Sequence, residues 1–346
     1  MKTRLPIVRR MLAPLALLAL LAVHPAPARA EFHLLRKGTL GGEGGWDLLT
    51  LDGAGHRLYV PRGSHVMVVN TDNLTVVGDL PDTPGVHGVA VVPKLGRGFT
   101  SNGRDTSATI FDLKTLRVLR RVRVGLRPDA IVYDPASKRV FTLNGGSNDA
   151  TAIDAATSAV AGTVALGGRP ELPACDGHGR MYVNLEDSSQ VVVVDTRTLA
   201  VLARWLLAPG ESPTGLALDE AHGRLFSVCA NRQLSVLDTH TGAVAAMVPI
   251  GERPDGVESD PGLGLAFSSN GEGTLRVVRE DSPASFTVVG NVTTAPGART
   301  LALDPRTHRI YLVTARFGPT PEPTPEQPRP RPSQLPGTFE VLVFGE

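Results

Sequence analysis

Seven residues recur along this chain, one in each of seven successive segments: Asp47, His87, Asp129, Glu171, Thr214, Asp255 and Arg299. They align by counting back five residues from the end of a short apolar run. That end is usually an Asp, as in AIVYD at Ala130, GLALD at Gly215 and TLALD at Thr300. If the segments converge, four carboxylates, one imidazole and one guanidinium meet around one axis. Like charges held close must bind a cation, shift their pKa values or pair with neighbouring bases. Oxygen donors with one imidazole suit Ca²⁺, Mg²⁺ or Mn²⁺, and zinc less well. The structural alternative is a set of staples. Arg127, Arg169 and Arg253 precede Pro128, Pro170 and Pro254 in a repeated Arg-Pro-Asp/Glu unit, where they are placed to bridge carboxylates of adjacent segments.

A second set, Arg62, Asn102, Asn144, Cys229, Asn270 and Thr314, with Leu185 as the exception, follows a later strand of each segment. Its Asn-Gly pairs read as turn chemistry, because both residues tolerate positive φ. His56, His178, His222 and His308 fall in turns and read as solvated. The chain has no G-x-S-x-G elbow, no H-E-x-x-H, no phosphate loop and no C-x-x-C-H haem attachment. A divalent cation is the cofactor the ring leaves open, and no haem, PQQ or nucleotide motif is present.

The elements that must position these residues come from an internal repeat. Its anchors are HRLYV at His56, GRGFT at Gly96, KRVFT at Lys138, GRMYV at Gly179, GRLFS at Gly223, GLAFS at Gly264 (two residues after Gly262) and HRIYL at His308, spaced 40 to 44 residues apart. Each repeat reads as four antiparallel strands: the apolar run, the anchor strand, a Val-rich strand ending in Asp-x-x-Thr, and a strand closing on Gly-x-x-Pro. In FDLKTLRVL, IDAATSAVA, VDTRTLAVL and LDTHTGAVA, the Asp is placed to accept turn N–H groups. A sheet of forty residues cannot bury both faces alone, whereas identical sheets stacked around an axis bury both. The expected fold is therefore all-β, a seven-bladed β-propeller of four-stranded antiparallel blades. The seventh repeat lacks an outer strand, and Phe32 to Leu40 supplies one from the other end of the chain.

Units such as PDAIVYDPASKRVFTLNGGSNDATAIDAATSAVAGTVALGGRP resemble the YVTN-repeat β-propellers of YncE-like exported proteins, over essentially all of residues 31–346. The resemblance implies the propeller fold and export, and little about activity. With Trp46 and Trp205 as the only tryptophans, the chain matches neither tryptophan–aspartate repeats nor the docking motif of quinoprotein dehydrogenases.

Residues 1–30 read as a signal peptide: a basic start at Lys2, Arg4, Arg9 and Arg10, an apolar run, and Ala28-Arg29-Ala30 at the cleavage point. Its removal leaves 30 basic against 34 acidic residues over 31–346, a net charge near −4. That balance gives no general attraction to phosphate backbones, so nucleic acid is not an expected partner. A periplasmic or secreted monomer is expected. Cys175 and Cys229 read as two small buried residues, in a compartment that permits a disulfide. Residues 319–336, with eight prolines, read as a solvated polyproline loop inserted in blade 7. The leading functional expectation is a non-catalytic binding or scaffolding propeller of the bacterial cell envelope, with a protein or small polar ligand at the channel mouth. The alternatives are a metal-assisted, lactonase-like hydrolase with His87 as base, and an accessory to a periplasmic redox enzyme.

Overall fold

A computed structural model describes residues 31–346 except 325, 326 and 329. The leader expected over residues 1–30 lies outside the described residues. Seven four-stranded antiparallel sheets follow one another along the chain. The innermost strands are Thr50–Asp52, Val86–Val92, Pro128–Asp134, Pro170–Cys175, Pro213–Asp219, Pro254–Asp260 and Leu301–Asp304, and they number blades 1 to 7 in that order. Among the described residues no helix is long and apolar enough to cross a membrane.

The ring closes as the repeat arithmetic requires. His33–Thr39 pairs antiparallel with Glu340–Gly345, which pairs in turn with Arg309–Thr314 and Leu301–Asp304. The chain's first described strand is thus the outermost strand of its last blade. Apolar side chains from neighbouring sheets form the core between blades. Leu58, Val60 and Met67 of blade 1 pack against Tyr311, Val313 and Val341 of blade 7. Phe226 and Val228 of blade 5 meet Val257, Ala266 and Val278 of blade 6. Each fully buried side chain of this size contributes roughly 1.5–3 kcal/mol relative to exposure, so no blade is stable without its neighbours.

The Asp-x-x-Thr hairpins close as expected. Asp112 Oδ1 accepts the N–H groups of Lys114 (3.1 Å) and Thr115 (2.7 Å) and the Thr115 hydroxyl (2.7 Å). Asp154 repeats the arrangement with Ala156 and Thr157, and Asp238 with His240 and Thr241. The residue after Thr takes positive φ even when it is not glycine: Leu116 at 59° and Leu199 at 63°. Its side chain then reaches the adjacent blade, where a glycine leaves room. Leu116 faces Gly78, Leu199 faces Gly162, and Leu74 of blade 1 faces Gly38 of the closing strand.

Two expectations are corrected, and a third is extended. Asn102, Asn144 and Asn270 are not turn residues at positive φ. They end their strands fully buried, and the left-handed residue of each hairpin comes later, at Thr106, Asn148 and Gly273. Each amide instead ties two strands: Asn102 donates to Ser107 Oγ (3.0 Å) and Thr109 Oγ1 (2.9 Å) and accepts from Thr100 (2.8 Å). The turn histidines are solvent-exposed, as expected, and each also meets a carboxylate. His308 meets Asp260 at 2.6 Å and His178 meets Glu220 at 2.6 Å, both across a blade boundary, while His56 meets Asp72 at 3.0 Å and His222 meets Asp219 at 2.8 Å. Cys175 is only partly buried, on the channel wall, while Cys229 is buried, and both thiols are free.

The proline-rich insertion lies between the second and third strands of blade 7. A short ladder narrows its base: Gly318 donates to the Ser333 carbonyl (2.9 Å) and Leu335 to that of Arg316 (2.8 Å). Phe317, at its foot, packs against Trp46 with ring centroids 6.1 Å apart.

Candidate functional site at the channel mouth

The seven converging residues occupy the entrance of the innermost strands. His87, Asp129, Glu171, Thr214 and Asp255 are the second residue of theirs, while Asp47 and Arg299 stand just before the shorter strands of blades 1 and 7. Backbone hydrogen bonds between blades hold the circle in register. Leu48 N donates to His87 O (3.1 Å), Gly256 N to Arg299 O (2.9 Å), and Thr300 Oγ1 to Asp47 O (3.0 Å).

The structure brings three of these side chains into one cluster. His87 Nδ1 lies 2.7 Å from Asp47 Oδ2 and 3.6 Å from Asp129 Oδ1, and one potential ligand atom from each residue falls within 4.8 Å of the others. The imidazole fits because residue 103 is glycine: a Cβ there would stand 2.9 Å from His87 Nε2. The hydrogen bond to Asp47 raises the His87 pKa, partial burial opposes it, and the charge of Asp129 adds to the rise. His87 thus stands between two carboxylates that favour its protonated form, in a place where another cation could stand.

The remaining members divide. Arg299 pairs with Asp255 at 2.6 Å across the boundary of blades 6 and 7, so one staple exists. Arg169 is committed mainly to Glu186 of its own blade and lies 3.9 Å from Glu171, and Arg253 donates to the Gly271 carbonyl. Arg127 makes no ion pair among the described residues. Stapling by the Arg-Pro arginines is thus corrected: Arg127 and Arg253 stand at positive φ just before their strands, Arg169 and Arg253 reach within their own blades, and the cross-blade staple comes from the ring residue Arg299. Thr214 donates to the Pro254 carbonyl at 3.3 Å and brings no charge.

Glu171 is left with too few partners. Burial first, then the charge of Asp129, push its pKa up to about 8 against the pull of Arg169. Burial lifts Asp255 to about 6 despite Arg299, and raises Asp129 despite His87. A cation at the mouth would reverse these shifts, since each carboxyl would gain the opposite charge it lacks.

Below the ring a cavity of about 330 Å³ begins with the residues that immediately follow six ring positions, Leu48, Gly88, Ala130, Leu172, Gly256 and Thr300. Its wall carries a residue that the repeat alignment overlooked. Glu258 projects into a lining of Leu49, Val89, Ile131, Val132 and Leu301. It makes no ion pair or hydrogen bond among the described residues, and burial alone raises its pKa to about 7. The signal is nevertheless in the sequence. Three residues on from each ring position, the other six blades carry Thr50, Ala90, Val132, Ala174, Ala217 and Ala302.

No family model and no curated protein matches the chain. Solved structures do. A crystal structure of a mitotic checkpoint complex contains a chain similar over 100% of this chain and 99% of that one, at 14% identity and a TM-score of 0.71. The WD40 repeats of RRP9 match over 92% of this chain and 99% of theirs, at 11% identity and 0.72. Hydrazine synthase of Kuenenia stuttgartiensis matches over 79% and 93%, at 15% identity and 0.66. The likeness is one of fold. At these identities a shared circle of blades says nothing of a shared ligand.

Proposed function

We propose that this chain is an exported, non-catalytic binding propeller of the YVTN-repeat, YncE-like kind, periplasmic or secreted, which takes up a cation at its channel mouth. The observation that carries this reading is the Asp47–His87–Asp129 cluster, set in a ring whose fourth carboxyl, Glu171, is driven to about 8 for want of positive charge. A metal ion or a ligand's ammonium group would supply it. The leader-like residues 1–30 and the net charge near −4 support export and weigh against nucleic acid.

Calorimetric titration of the propeller with Ca²⁺, Mg²⁺, Mn²⁺ and butylamine at neutral pH tests the reading. At least one cation binds, protons are released as Glu171 ionises, and Asp47→Asn/Asp129→Asn binds at least about tenfold more weakly. A wild-type protein that binds none of them sinks the proposal. The hydrolase reading draws on the same cluster, since a metal held by Asp47 and Asp129 beside His87 could polarise a carbonyl. Metal analysis followed by a lactone and ester panel separates it from simple binding.

A further inference from the structure

Glu258 is costly where it stands. A carboxylate beside Leu49, Val89, Ile131 and Val132, half-buried and with no side-chain hydrogen-bond or ion-pair partner among the described residues, loses part of its hydration and gains nothing in return. The repeat offers an inexpensive alternative at this very position, because five of the other six blades place Ala or Val there and the sixth Thr. The carboxyl is also shared by two cavities: it lines the one of about 330 Å³ below the ring and a second of about 350 Å³ further along the inner strands. It stands partway down the channel, three residues beyond ring member Asp255 on the same strand. At roughly 3.3 Å per residue, that places it about 10 Å from the mouth.

An acidic ring, a wall that sets Leu, Val and Ile side chains among Thr50, Ser259 and Thr300, and a lone acid at depth are three parts of one shape. The ring would take one ammonium group, the Leu, Val and Ile side chains a run of methylenes, and Glu258 a second ammonium group. We propose that the channel binds an elongated aliphatic dication, an α,ω-diamine or polyamine, with one end at Asp47, Asp129 and Glu171 and the other at Glu258. This rests on the mouth being a cation site and adds the ligand class and the second anchor. A metal ion alone leaves Glu258 unused. So does a compact cation at the ring.

Calorimetric titration of the full propeller with cadaverine, spermidine, ethylenediamine and butylamine tests it. Cadaverine and spermidine are expected to bind about tenfold or more tightly than butylamine, as one added charge-assisted contact allows. Ethylenediamine, too short to reach Glu258, gains no such advantage. In Glu258→Gln, which keeps the side-chain shape and removes a buried charge, the cadaverine-to-butylamine affinity ratio falls towards one. If the wild type binds butylamine and cadaverine equally, or if Glu258→Gln keeps the ratio, the diamine proposal is overturned while the cation site at the mouth stands. If no amine and no metal ion binds, both fall together. The chain-length series on the wild-type protein decides the matter even if the variant does not fold.

Discussion

Glu171 shows at the scale of one residue what the ring does to its members. The unfolded chain ionises this carboxyl near the ordinary value of 4.5, while the folded one holds its proton to about 8, facing Asp129, Asp255 and Asp47 as well as Arg169. Below the lower value both states are protonated and the group has no effect on stability relative to that reference. As pH rises through the window, the native state binds more protons than the unfolded one, so the stability contribution falls and is fully lost above the upper value. Glu171→Gln removes that slope. Its melting temperature relative to wild type should climb between about pH 5 and about pH 8 and level off outside that window, as thermal melts across the range will show. A flat difference would mean that the carboxyl is already neutralised. The ring position of Glu171 is legible in the sequence, because the closing Asp of each inner strand sets the register. Its raised pKa is not, since that depends first on burial and then on the charge of Asp129, with Arg169 drawn mainly to Glu186, and no spacing encodes that arrangement of side chains. Glu258 is missed for a different reason. It lies outside the ring register, and only a comparison of all seven blades at that depth makes it stand out.

At the scale of the element, each blade is a set of hairpins fastened by polar side chains at both ends. The Asp-x-x-Thr end is readable because it is local: one carboxylate satisfies N–H groups two and three residues on. The other end is misread as Asn-Gly turn chemistry because the asparagine works across strands. Asn102 sits among Thr100, Ser107 and Thr109, all on two adjacent strands and all buried. Removing it takes one partner from each of three buried hydroxyls, and leaves Thr109 Oγ1 with none, while Ser107 keeps Asp105 and Thr100 keeps the Thr109 N–H. Asn102→Ala is expected to cost about 2–4 kcal/mol in urea unfolding, with the mid-point falling and the slope unchanged. An effect below about 0.5 kcal/mol would show that water replaces the amide there. Gly103 has a separate duty, giving His87 its space, so the dipeptide joins a strand fastening to the mouth.

The whole molecule depends on one noncovalent seam. His33–Thr39 completes blade 7 and meets blade 1 where Gly38 faces Leu74, whose Cβ would be 2.8 Å from any Cβ added at Gly38. Gly38 is not at positive φ, so a larger residue there is refused by the neighbouring blade and not by its own backbone. Gly38→Val should destabilise by about 1–3 kcal/mol. Leu74 adopts φ 59°, a conformation glycine accepts readily, so the double variant Gly38→Val/Leu74→Gly should recover part of that loss. Simple additivity in that cycle would show that the two residues do not meet. This level of structure is the most legible of the three, because seven anchors and a missing outer strand leave little freedom in how the circle closes. What fills the hub is the least legible, because it depends on where side chains from seven separate segments point.

The insertion in blade 7 has a practical corollary. Its two legs are clamped together at Arg316–Gly318 and Ser333–Leu335, and the strands on either side are held by their own sheet partners. A foreign domain spliced between the legs, or a cut made there, would leave the circle of sheets with every hydrogen bond it now has. With Phe317 resting on Trp46 beside Asp47, a reporter fused at that point would sit at the doorway and sense what enters.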